Sequence, residues 1–202
     1  MRDNYKIQTE YARNIFLRYD QETLIQNFSL EHNKDFLFLN FVHRPYRIHR
    51  TSGLVEYLDA HHLWREGGFN EVLSIYDMIC NPKGRPVLSG KWSPVGNLGG
   101  MKNASEAVGE SGLNTYGKYF AGKTAVLADV CQRLGGTPAP MGDIAFYLPV
   151  FDFFPVYLRF YDEDEEFPAQ LQLLWDKNTC RYIHYETTFY IAGHLLQRLL
   201  GE

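Results

Sequence analysis

Apolar positions in the first thirty residues recur with a helical period. Ile7, Tyr11 and Ile15 stand four apart, and Phe16, Tyr19, Leu24 and Phe28 continue an apolar side, so the pattern predicts a helix over 4–28. The period then shortens to two. Phe36 to Val42 is a short aromatic run broken by His43-Arg44-Pro45, and Tyr46, Ile48 and Arg50 alternate with Arg47 and His49. Thr51-Ser52-Gly53 turns the chain into Leu54-Val55-Glu56-Tyr57, which predicts a small antiparallel meander over 35–57. Helical spacing returns with Phe69, Val72, Leu73, Tyr76 and Cys80, and Asn81-Pro82-Lys83-Gly84 stops it. A second middle helix is predicted over 115–134 from Tyr116, Phe120, Leu127, Val130 and Leu134, ended by Gly135-Gly136. Three strands follow, at 144–150, 156–161 and 171–175, with Asp152 to Pro155 as a turn. A last helix is expected from about Glu186 to Leu200, with Phe189, Ala192, Leu196 and Leu199 inward. Helices and hairpins are segregated rather than alternating, which favours an α+β fold: an antiparallel sheet packed with an N-terminal helix, two middle helices and a C-terminal helix.

Between the middle helices, residues 81–118 hold eight of the 17 glycines and three of the nine prolines. So long a loop in a compact domain points to function or mobility. The chain of 202 residues is long enough to bury a core without staples, and we expect one domain over 1–202. Twenty basic against 24 acidic residues, a net charge of −4, argue against a nucleic-acid partner. The longest apolar run, 144–161, contains Pro149, Asp152, Pro155 and Arg159, so no membrane span is expected. Cys80, Cys131 and Cys180 are isolated, with no CxxC pair, and the polar opening residues predict no signal peptide; we expect a protein of the reduced cytoplasm.

Several segments could carry chemistry. Gly117-Lys118-Tyr119-Phe120-Ala121-Gly122-Lys123-Thr124 fits the phosphate-loop pattern G-x-x-x-x-G-K-[ST], but it falls on a predicted helix, and a functional loop would need a strand at 106–112. The acidic run Asp162-Glu163-Asp164-Glu165-Glu166 follows a strand and offers oxygens to a hard cation such as magnesium. Gly142-Asp143 closes a glycine-rich link between helix and strand. Trp92 stands in the long loop, where an indole either anchors the loop or covers a ligand, and Arg159 and Arg181 are candidates to pair with the acidic run or to bind an anionic ligand. Histidine pairs with metal-ligand spacing are absent, and so is a serine-hydrolase elbow.

Gly142-Asp143, Leu148-Pro149, Asp164-Glu165-Glu166-Phe167-Pro168-Ala169, Trp175-Asp176 and Glu186 ahead of a helix, together with Ser89-Gly90-Lys91-Trp92, resemble an uncharacterised prokaryotic family, the domain of unknown function numbered 3786. The resemblance covers about residues 5–200. It implies a setting in anaerobic bacteria and archaea and carries no established activity. Some members resemble, in an extra cysteine-rich segment, the iron–sulfur portion of corrinoid proteins, and this chain lacks that segment.

The leading expectation is a small-molecule or cofactor-binding accessory module of anaerobic metabolism, with the cofactor unspecified. Gly142, Asp143, Asp164, Glu165 and Glu186 are expected to line one ligand site with Trp92 over it. Two alternatives stand beside it. One is a divalent-metal-dependent hydrolase or transferase using Asp162, Asp164 and Glu165. The other is a non-catalytic subunit that contacts a protein partner or a second copy of itself.

Overall fold

The computed structural model describes residues 4–98, 113 and 115–201. It is α+β, as the patterning predicts. Helix α1 (Asn4–Arg18) and helix α2 (Gln21–Phe28) replace the single helix expected over 4–28. The break is a cap: the Asp20 carboxylate accepts from Glu22 N at 3.1 Å and from the Thr23 hydroxyl at 2.6 Å, satisfying donors that the start of a helix leaves bare.

The first sheet is a meander in the order β1 (Glu31–His32), β2 (Phe36–Phe41), β3 (Arg44–His49), β4 (Val55–Leu58), β5 (Trp64–Glu66), each strand antiparallel to its neighbour. Helix α3 (Phe69–Ile79) follows. Among the described residues of the glycine-rich stretch, Trp92–Pro94 form the short strand β6. The middle helix expected over 115–134 is two: residues 115–120 (α4) and α5 (Thr124–Arg133). Gly122 makes the break, with φ +66° and its N–H donated to Asp162 Oδ1 at 2.8 Å. The second sheet has the order β6, β10 (Gln170–Asp176), β9 (Phe154–Tyr161), β8 (Ile144–Phe151), β7 (Thr137–Pro138), again antiparallel throughout. Helix α6 (Tyr185–Leu199) ends the fold.

The sheets meet at their hairpin corners. The β2–β3 turn places Val42 and His43 at positive φ, 47° and 54°, the two-residue turn whose twist suits a hairpin but that usually recruits Asn or Gly. Tertiary contacts hold it there. Val42 N donates to Val150 O at 2.7 Å, Phe41 packs 5.0 Å from Phe151, and the His43 ring lies so close to Gly135 that a Cβ there would sit 2.7 Å from Nδ1. A main cluster of buried side chains runs from Phe16 and Leu37 through Val150 and Phe160 to Leu199, so both sheets and the helices share it.

Candidate functional site

Helix α3 buries Val72, Ile75, Tyr76 and Ile79, and packs along α1 on one side and α6 on the other. Near its C-terminal end, Asp77 points at the start of α6. Asp77 Oδ2 accepts from His184 N at 2.8 Å and from the Thr187 hydroxyl at 2.5 Å, and Oδ1 lies 2.5 Å from His184 Nδ1. The start of a helix favours an anion because its first N–H groups lack helical partners and its dipole is positive there. Asp77 thus serves as a cap supplied from a neighbouring helix. Its side chain is 17% exposed, against 82% for His184. With Nδ1–H donated to the carboxylate, the outward Nε2 is left to accept a proton, bind a donor or ligate a metal.

This pair stands in a cleft of about 570 Å³ between α1, α3 and α6. Ile7, Tyr11 and Ile15, the stripe that predicts the first helix, form its α1 wall rather than facing the core. They remain 46%, 69% and 38% exposed, whereas Phe16, one position on, is fully buried. Leu73 and Tyr190 continue the apolar lining, and Glu186 stands on the polar rim. Cys80 also lines the cleft, but burial and the Asp77 charge push its thiol up to about 12. Burial does the same to Cys131, and burial with Glu186 raises Cys180, so none of the three is a thiolate nucleophile at neutral pH.

A second, shallower depression of about 480 Å³ lies on the second sheet, lined by Trp92, Tyr147, Pro149, Pro155 and Gly135 among others. The Trp92 ring rests 5.2 Å from Tyr147 and 5.9 Å from Tyr157, which makes the indole part of a fixed aromatic cluster.

The residues expected to share one site are spread over three places. Trp92 lines the sheet depression and Glu186 the helical cleft, while Gly142, Asp143, Asp164 and Glu165 line neither. Asp143 Oδ2 accepts from Asp162 N at 2.8 Å, and Gly142 is needed at φ +100°, where a Cβ would meet Phe160 O at 2.9 Å. Asp164 Oδ1 accepts from Glu166 N at 2.8 Å and Phe167 N at 2.7 Å, a loop-closing turn. Glu165 is exposed. Among the described residues, no group of three His, Cys, Asp or Glu side chains could hold a metal ion. Arg159 donates to Gln172 Oε1 at 3.0 and 2.7 Å instead of pairing with the acidic run. The phosphate-loop match runs through α4 and the start of α5, and Lys123 Nζ is bound to Tyr119 O at 2.8 Å. The strand it would require, at 106–112, lies outside the described residues.

Two of the blocks that carry the family resemblance do meet. Asp176, fully buried, accepts from Ser89 N at 3.0 Å, Gly90 N at 2.8 Å and Asn178 N at 2.8 Å, and Lys177 N donates to Lys91 O at 2.9 Å. This clamp fixes the Ser89–Trp92 segment against the edge of β10. The Asp77–His184 pair went unforeseen because 107 positions separate its members and no spacing rule links them. The signals available were a lone acid at the end of an apolar helix face and a histidine just before a predicted helix.

Fold and cleft together define an α+β module of two antiparallel sheets with a cavity of small-molecule size among three helices. Residues 20–198 match the family described as a domain of unknown function (DUF3786), and the chain belongs to that family. The match begins after α1, so the Ile7–Tyr11–Ile15 wall of the cleft lies ahead of the matched span. No curated protein and no solved structure matches the chain. Among the described residues no helix is long and apolar enough to cross a membrane.

Proposed function

We propose that this chain is a small-molecule-binding module whose ligand occupies the cleft between α1, α3 and α6. One observation carries the reading: an apolar stripe left exposed on α1 faces an oriented Asp77–His184 pair across a space of about 570 Å³. Apolar walls with a few convergent polar groups are the usual make-up of a ligand pocket. The walls would desolvate the body of the ligand, and His184 Nε2 would fix its polar end. We place it in anaerobic metabolism, as the family resemblance implies, and in a reduced cytoplasm, which the three unpaired cysteines fit.

The test begins with native and denatured masses of anaerobically purified protein, where extra mass lost on denaturation reports a bound ligand. It continues with a titration of N-phenyl-1-naphthylamine followed by fluorescence, in the natural chain and in an Ile7→Gln/Ile15→Gln double variant. Both positions are exposed enough to leave the core intact. The dye should bind the natural chain, and the variant should bind it about tenfold more weakly through lost apolar contact. A bare mass with no dye binding, or dye binding indifferent to both substitutions, overturns the reading.

A further inference from the structure

We infer that the ligand of this cleft is an organic cation, an ammonium group on an apolar body; the inference rests on the cleft being the binding site. The charges decide it. The side chains lining the cleft include two carboxylates, Asp77 and Glu186, and no lysine or arginine. An anionic head would face both carboxylates, and the His184 imidazole in the same lining is already paired with Asp77.

The two carboxylates play different parts. Both Asp77 oxygens are engaged by His184 and Thr187, so Asp77 contributes its field but has little room for a direct contact. Glu186, in the first turn of α6, is exposed and makes no ion pair or hydrogen bond among the described residues. It is the group free to meet an ammonium. The helix start opposes a cation with roughly half a positive charge, and two carboxylates outweigh that. Tyr11 and Tyr190 add aromatic rings to the lining, and a tyrosine ring attracts an ammonium over its face through its quadrupole. Ile7, Ile15 and Leu73 supply the surface for a hydrocarbon body of several carbons.

Three probes of one shape separate charge from shape: 4-phenylbutylamine, 4-phenylbutanol and 4-phenylbutyrate, titrated calorimetrically into the natural chain and into Glu186→Gln. The amine should bind at least about tenfold tighter than the alcohol, the carboxylate weakest, and the preference for the amine should shrink with added salt. In Glu186→Gln the amine should lose most of its preference over the alcohol, whose own affinity stays unchanged, with only the field of Asp77 remaining. Equal binding of amine and alcohol, or tighter binding of the carboxylate, overturns the cation assignment and leaves the cleft as the site. An amine preference that survives Glu186→Gln undiminished overturns the role given to Glu186. Failure of all three probes, in a chain that also ignores the naphthylamine dye, overturns the cleft reading itself.

Discussion

Helix α3 carries two carboxylates, six residues apart, and each meets a histidine belonging to α6 or to the residue before it. At one end, Glu71 lies 3.9 Å from His194, with side chains 10% and 7% exposed. At the other, Asp77 lies 2.5 Å from His184, which is 82% exposed. Residue types and helices are alike, yet the pairs do different things. Glu71 accepts from the Tyr46 hydroxyl and from the N–H of Gly68 at the start of its own helix, and the Arg44 guanidinium stands 4.0 Å away. Its histidine is stacked on Phe41 at 5.1 Å, and burial, with the Arg44 and Arg198 charges, pushes its pKa down to about 3. That imidazole is neutral and sealed. His184 faces a cleft with Nε2 turned outward. A carboxylate–histidine pair is therefore scaffold or site according to what surrounds it, and here two guanidiniums and a core ring on one side, solvent and an apolar wall on the other, draw the line.

Removing the sealed carboxylate should have the largest effect. Glu71→Ala leaves the Tyr46 hydroxyl with only the 3.4 Å contact to His194 Nε2 and removes the carboxylate charge that acts on both Arg44 and Arg198, in a place where Arg198 Nε already has no partner. Breaking such a buried group typically costs about 3 kcal/mol. Urea denaturation should show a loss of that order, with dye binding in the cleft unchanged at temperatures where the variant is folded. A loss under about 1 kcal/mol would place Glu71 with the surface acids and erase the contrast.

The histidine of the sealed pair gives a pH signature. Its pKa is lowered on folding, from an ordinary 6.5 to about 3. Between those values the unfolded chain binds a proton that the folded chain refuses. The contribution is therefore intact above pH 6.5 and is lost as pH falls toward 3, at about 1.4 kcal/mol per unit. From pH 6.5 to 4.5 the loss from this group should reach about 2 kcal/mol. His194→Phe should flatten that part of the profile, and an unchanged slope would mean that His194 titrates normally.

Much of the fold is written in the local pattern, and most of the candidate site is not. The meander of β2 to β4 follows from the alternation at Tyr46 and Ile48 and the Gly53 turn, because a strand's period of two is a local property. The boundaries that shifted did so at single side chains: Asp20 capping α2 and Gly122 surrendering its N–H to Asp162. The acidic run was legible as a run, but not that Asp162 and Asp164 spend their oxygens on backbone amides. The Ile7–Tyr11–Ile15 stripe shows the reverse difficulty. Its spacing reveals a helix but not which neighbour the stripe faces, and that neighbour is a cleft. Asp77 and His184 meet only because α3 and α6 pack side by side, a fact of topology that no window of sequence contains.

The open pair should matter less to stability than the sealed one. Asp77→Asn removes the negative charge from the start of α6 and weakens the bonds to His184 and Thr187, while a neutral side chain of the same shape remains. Helix-start charge and exposed ion pairs each contribute modestly, so a loss of about 1 kcal/mol is expected, discounted for the solvent around His184. Urea denaturation beside Glu71→Ala measures it. A loss near that of Glu71→Ala would make both pairs scaffold.

The smallest effect on stability belongs to Glu186→Gln, and that small size is what separates a ligand group from a structural one. Glu186 is exposed in the first turn of α6, where a negative charge gains a few tenths of a kcal/mol from the helix dipole, and Asp77 at the same helix start repels it. The two contributions oppose each other, so the net change should stay within about 0.5 kcal/mol. Thermal unfolding of the variant without ligand measures it. A drop above about 1 kcal/mol would show that the charge is used to hold α6, and any loss of amine binding in the variant would then trace to the helix rather than to a contact. Unchanged stability with lost amine preference would leave the side chain one remaining part, that of meeting the cation.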